Sequence, residues 1–150
     1  MLTKRPCTKE DRGFVYDLLK ENLGEYFDRN TKEGWSDEKF DKGFDPDRIT
    51  ILEIDKKPVG FYDVEKIDDK KPFLYVHNVQ LVKEERGHPF TLIKLIDDEA
   101  RARGLKFIKA KVFKDNYRTL RFLALFKYSI IYYQNLEEQE NSVYVLKELL

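Results

Sequence analysis

The sequence predicts an α/β fold with a mixed sheet, and three observations carry that reading. Strand-like and helix-like segments follow the order β-α-α-β-β-β-α-β-α-β-β. Residues 48–82 hold three strand-like runs joined by short turns, which makes an antiparallel meander. Val79 to Arg103 then passes from a strand, through a turn at Arg86-Gly87-His88, into a helix from Pro89. That passage is also a natural anion site. The first N–H groups of a helix have no intrahelical partner, and the helix dipole adds partial positive charge. Arg86 adds a full charge.

A chain of 150 residues is the size of one domain, 1–150, and long enough for a real core. Its 28 basic and 28 acidic residues cancel. Balanced charge argues against a nucleic-acid binder, which needs a basic excess, and against a membrane-surface protein. No apolar run approaches the ~20 residues of a spanning helix. The start, M-L-T-K-R-P-C, lacks the apolar region of a secretory signal. A lone cysteine, Cys7, permits no internal disulfide, so a reducing cytoplasm is expected. Abundant Lys and Glu lean towards a thermophilic source.

Met1 to Cys7 contains a short strand closed by Pro6. Thr8-Lys9-Glu10-Asp11 has the form of a capping box, the hydroxyl covering an orphan N–H and Asp11 reaching back. Phe14, Val15, Leu18, Leu19 and Leu23 follow helical spacing, and Gly24 is the expected stop. Ser36 caps a short helix to about Lys42. Tyr26, Phe27, Trp35, Phe40 and Phe44 lie along Glu25–Asp47 and either pin that helix to the core or cover a pocket. Arg48–Ile54, Val59–Ile67 and Phe73–Val82 are the meander strands, turning at Asp55–Pro58 and Asp68–Pro72. After Pro89, Leu92, Ile93, Ile96 and Ala100 form one stripe, with Lys94, Asp97, Asp98 and Arg101 facing water. Gly104 ends that helix. Phe107–Val112 is a strand, its lysines solvated. Asp115-Asn116 starts a helix that is apolar nearly all round through Phe126, hence largely buried. Tyr128–Gln134 and Ser142–Leu146 are the last strands, around an acidic turn from Asn135 to Asn141. They could offer an edge to a second copy, which leaves a homodimer open.

This order, and the residues around Arg86, resemble the GCN5-related N-acetyltransferase superfamily. The resemblance is most specific from Val79 to Tyr128. The family's turn is Gln or Arg, two residues, Gly, one residue, then Gly or Ala; here it reads Arg86-Gly87-His88-Pro89-Phe90-Thr91. The run A-R-A-R-G-L-K-F-I-K-A-K-V-F-K-D-N is similar to the family's helix, strand and Asp-Asn turn. The resemblance implies a mixed, mostly antiparallel twisted sheet flanked by helices. It also implies acetyl-CoA as cosubstrate, no metal, and a small-molecule or peptide amine as acceptor. Leu81, Val82, Arg86, Gly87, His88, Phe90, Thr91 and Asn116 fall on the cofactor-binding positions.

The departures have physical consequences. Pro89 stands at the first signature glycine and has no N–H, so one donor to a pyrophosphate is lost, a weakening of about ten- to a hundredfold. Proline nevertheless suits a first helical turn. The N–H groups of Gly87, His88, Phe90 and Thr91 remain. Leu123 aligns with the family's thiolate-protonating tyrosine. Tyr117, Tyr128, Tyr132 and Tyr133 are nearby in sequence, with Tyr128 the substitute acid, or solvent supplies the proton. His77 is the candidate base, on the strand face shared with Tyr75, Val79 and Leu81. A backbone N–H near Leu81 or Val82 would meet the oxyanion. Tyr26 and Trp35 lie where the family builds its acceptor site. Two readings follow: an N-acetyltransferase with an atypical turn, or a binding or regulatory module that keeps the fold without turnover.

Overall fold

The structure is a computed structural model that describes residues 2–85, 89–131 and 141–150. In chain order the elements are β1 (Leu2–Pro6), α1 (Arg12–Asn30), α2 (Asp37–Gly43), β2 (Ile49–Ile54), β3 (Lys57–Ile67), β4 (Phe73–Leu81), α3 (Pro89–Ala102), β5 (Phe107–Phe113), α4 (Tyr117–Leu125), β6 (Ser129–Ile131) and β7 (Ser142–Glu148). This is the expected order. The strands form a seven-stranded sheet, β1-β2-β3-β4-β5-β7-β6. β1–β2, β2–β3, β5–β7 and β6–β7 pair antiparallel, and β4–β5 pair parallel. The mixed, mostly antiparallel sheet with flanking helices is therefore as the sequence implied. The chain divides into two compact units, Met1–Val64 with Asn78–His88, and Glu65–His77 with Pro89–Leu150.

In the first unit, Cys7, Val15, Leu18, Leu19, Ile49, Ile51 and Phe61 make one buried cluster. The apolar stripe of α1 supplies its middle, and alternation along β2 and β3 supplies the rest. Asp11 reaches back as expected, its Oδ2 accepting from the Thr8 N–H at 2.8 Å. The Thr8 hydroxyl donates to that same oxygen at 3.3 Å. Arg5 adds a two-pronged pair to Asp11, 2.8 Å to each oxygen, which holds the carboxyl well down, at about 2. Arg48 and Asp63 form a second such pair at 2.9 and 3.1 Å.

Gly24 does not stop α1. The helix continues to Asn30, because a glycine inside a helix costs only about 1 kcal/mol and Phe27 extends the apolar face. The end comes at Thr31, whose N–H and hydroxyl both donate to the Phe27 carbonyl, at 3.0 and 2.7 Å. Ser36 caps α2 as expected, its hydroxyl oxygen accepting from the Lys39 N–H at 3.2 Å. Asp55 and Lys56, both at positive φ (50° and 65°), turn β2 into β3.

In the second unit, Leu74, Ile96, Ala100, Leu105, Ile108, Val112, Val143 and Val145 are buried. Gly104 ends α3 at φ 71°, and the Leu105 N–H returns to the Ala100 carbonyl at 2.9 Å. Two expectations fail here. No residue of α4 is buried. Its apolar residues divide by face, Leu120, Phe122 and Leu123 half-covered while Leu125 is exposed beside Arg118 and Arg121. Asp97 does not face water, because it pairs with a buried lysine, Lys147. The acidic turn up to residue 140, and residues 132–134 of the expected strand Tyr128–Gln134, lie outside the described residues.

Candidate active site

The site is best built from β4. Alternation sets Leu74 into the core and turns Tyr75 and His77 to the opposite face. His77 Nε2 stands 2.6 Å from Oε1 of Glu65, on β3. The ring of Tyr75 meets the His77 imidazole edge-on, centroids 4.7 Å apart. Both members of the pair are reachable by water, with side-chain exposures of 28% for His77 and 39% for Glu65. The parallel register between β4 and β5 runs from Phe73–Phe107 to Val76–Ala110 and stops there. β4 continues to Leu81, so His77 is the first residue past the last pair.

In the first unit, three contacts fix the far end of β4. The Val82 N–H donates to the Val59 carbonyl at 2.8 Å. Asn22 donates through Nδ2 to Gln80 Oε1 at 2.9 Å and to the Leu81 carbonyl at 3.2 Å. Gly60 lets the strands approach; a Cβ there would lie 2.5 Å from the Gln80 carbonyl oxygen. The Val82 N–H, one of the two expected oxyanion donors, is thus engaged with Val59. Alternation of backbone N–H groups turns that of Leu81 to the other edge.

The remaining sequence-derived residues are placed as follows. Asn116 is the N-cap of α4, its Oδ1 accepting from the Thr119 N–H at 3.3 Å. Phe90 is exposed near the start of α3, its ring edge-on to Phe126 at 5.3 Å, and Thr91 is exposed beside it. Arg86, Gly87 and His88 lie outside the described residues. Trp35 is packed edge-on against Tyr16 and Phe27, its indole N–H donating to Asp37 Oδ1 at 2.9 Å. The rings therefore pin α2 to the core. Tyr26 carries the Arg29 guanidinium 4.7 Å over its ring. Cys7 is buried, and burial pushes its thiol up to about 11, unsuited to a nucleophile.

Tyr128 is buried, and burial, then the Asp97 charge, push its phenol upward. The Lys147 Nζ lies 5.5 Å from its ring centroid and 2.7 Å from Asp97 Oδ2. Asp97 Oδ1 is buried with no donor among the described residues. A cavity of about 260 Å³ adjoins this cluster, lined in part by Asp97, Arg101, Phe126 and Lys147. Among the described residues, no group of His, Cys, Asp or Glu is arranged to hold a metal ion, and no helix is long and apolar enough to cross a membrane.

Comparison with known families decides what this frame belongs to. Residues 14–128 match the model of the acetyltransferase (GNAT) family. The chain belongs to the GNAT acetyltransferases. No curated protein matches it in sequence. Solved structures share its fold at low identity. N-acetylglutamate synthase from Neisseria gonorrhoeae, complexed with coenzyme A and N-acetyl-glutamate, is similar over 100% of this chain and 35% of its own (16% identity, TM-score 0.74). The chain thus spans about a third of that synthase. Ard1 from Thermoplasma volcanium is similar over 99% and 98% (16% identity, TM-score 0.72). The PaiA N-acetyltransferase from Thermoplasma acidophilum, in complex with coenzyme A, is similar over 99% of each chain (11% identity, TM-score 0.73). Acetyl-CoA as cosubstrate agrees with this family and with the coenzyme A in two of those structures.

Four residues of this GNAT domain escaped the sequence reading: Glu65, Asn22, Gly60 and Lys147. Each acts through a partner far away in sequence. Glu65 left no distinct local signal, because Asp63 and Lys66 stand beside it in the same strand.

Proposed function

We propose that this GNAT protein transfers the acetyl group of acetyl-CoA to the amine of a small molecule or peptide, with His77 as general base. The observation that carries the reading is the His77–Glu65 pair, 2.6 Å apart and open to water, where the pairing of β4 with β5 ends. The amine nitrogen attacks the thioester carbonyl carbon and its proton passes to His77, directly or through water. The C–S bond then breaks and the thiol leaves. The Leu81 N–H is the donor for the oxyanion. Leu123 offers no proton, and Tyr128 is buried with a raised pKa, so solvent protonates the thiolate. Val82, Arg86, Gly87, His88, Phe90, Thr91 and Asn116 are assigned to acetyl-CoA. The amine class draws support from the N-acetyl-glutamate held by the Neisseria synthase. Tyr26 and Trp35 are assigned to the acceptor's surroundings, Trp35 through packing.

The test is the melting temperature with and without acetyl-CoA, followed by thiol release across an amine panel. A ligand at ~100 times its Kd adds roughly 2.7 kcal/mol to stability. A rise in Tm and thiol release with at least one amine are expected. No shift at millimolar acetyl-CoA would overturn the proposal. The side chain at Leu123 favours one other reading, binding without turnover; its mark is a shift in Tm with no thiol released by any amine.

A further inference from the structure

We infer that Glu65 is a positioning residue that makes Nδ1 the basic nitrogen of His77. The inference rests on the proposed role of His77. A carboxylate such as that of Glu65 only accepts hydrogen bonds. Its Oε1 lies 2.6 Å from His77 Nε2. A nitrogen that close to a carboxylate oxygen must bring the hydrogen, so Nε2 carries it and the neutral ring keeps its lone pair on Nδ1. The tautomer and the ring direction are thereby set together. Tyr75 limits rotation on one side, its ring centroid 4.7 Å from that of the imidazole.

The consequence for the reaction is specific. The proton leaving the attacking amine goes to Nδ1, while the proton on Nε2 stays between His77 and Glu65. The imidazolium formed in that step lies against a negative charge, so the transfer is favoured where it occurs. No second carboxylate, metal or co-reactant is needed. Glu65 touches neither the acceptor nor the thioester in this scheme; it acts through His77. Because β3 and β4 both belong to the sheet, the two side chains are held by backbone rather than by a loop.

The chain has two histidines, His77 and His88, so ring-nitrogen NMR of histidine-labelled protein gives two sets of signals. A His77→Gln variant identifies the His77 set. In the wild type the neutral His77 ring should show hydrogen on Nε2. In Glu65→Ala that preference should give way to a mixture, and kcat should fall about tenfold or more, a share of the 10²–10⁴ a positioned base supplies. KM for acetyl-CoA should not move. Glu65→Gln keeps an accepting oxygen without the charge, so it should retain the tautomer and recover part of kcat. Identical ring signals in the wild type and Glu65→Ala, or an unchanged kcat in both variants, overturns the inference. If no amine supports thiol release even by the wild type, the proposed function falls, and the ring spectra still decide whether Glu65 sets the tautomer.

Discussion

His77–Glu65 and Asp97–Lys147 lie in the same compact unit at nearly equal separations, 2.6 and 2.7 Å, yet water reaches them very differently. The side chains of Asp97 and Lys147 are 13% and 10% exposed, against 39% and 28% for Glu65 and His77. The difference separates two uses of one interaction. A pair this sealed from solvent exchanges protons poorly even where a cavity adjoins it, and breaking it leaves a bare charge in the interior. An open pair is screened by solvent and adds little stability, but its groups can exchange protons with what binds there. Exposure, more than distance, separates the pair proposed for chemistry from the structural one.

The largest expected effect tests the sealed pair. Lys147→Met leaves Asp97 buried and uncompensated, and should lower unfolding stability by about 3–5 kcal/mol in urea melts. Adding Asp97→Asn to it should restore much of the loss. A change below ~1 kcal/mol for Lys147→Met would break the comparison. His77→Ala tests the open pair and should do the reverse. Thiol release should fall about a hundredfold, or ~2.7 kcal/mol in the barrier, with stability moved by less than ~1 kcal/mol. CoA-induced stabilisation should persist. An unchanged rate removes His77 as the base.

The same contrast explains what the sequence could tell. Period-2 alternation along β4 put Tyr75 and His77 on one face, and the Asp-Asn turn located the cap of α4, because both signals are local. Pairings are not local. Nothing near Asp97 announces Lys147, fifty residues on, so Asp97 read as a solvated helix acid. Gly24 read as a stop because a glycine's weak helix propensity is visible, whereas the packing that overrides it, Phe27 against Trp35, is a tertiary contact. α4 read as buried because seven-residue apolar density says nothing about which face the sheet covers. At the candidate site the strand and its histidine were legible, and the carboxylate 2.6 Å from the ring, Glu65, was not.

Arg5–Asp11 sharpens the comparison from the first unit, as a pair with one buried end. Asp11 is buried and Arg5 about a third exposed. The Arg5 hydrogen bonds lower the Asp11 carboxyl to about 2, below the ~3.9 of an unfolded chain. A depressed carboxyl contributes stability that is fully present above about pH 4 and is lost as pH falls towards 2. The contribution is about 2 kcal/mol. Denaturant melts between pH 5 and 2 should show the wild type losing that much more stability than Asp11→Asn. Equal slopes would mean that Arg5 and Asp11 behave as a screened surface pair.

The smallest expected effect is at Tyr128, and it decides whether burial truly excludes a group from the reaction. Its phenol is pushed above the ordinary tyrosine value by burial and by Asp97. A thiolate has a conjugate acid near ~8.5, so proton donation by even an ordinary phenol runs uphill, and burial steepens the climb. Tyr128→Phe keeps the ring that the Lys147 ammonium approaches at 5.5 Å. Thiol release should therefore stay within about twofold of wild type, a barrier change near 0.4 kcal/mol, and Tm should hardly change. A tenfold loss of kcat at unchanged Tm would make Tyr128 the proton donor. Exposure in the free protein would then no longer separate chemical from structural groups, because the reaction would have to reach a side chain that this fold seals.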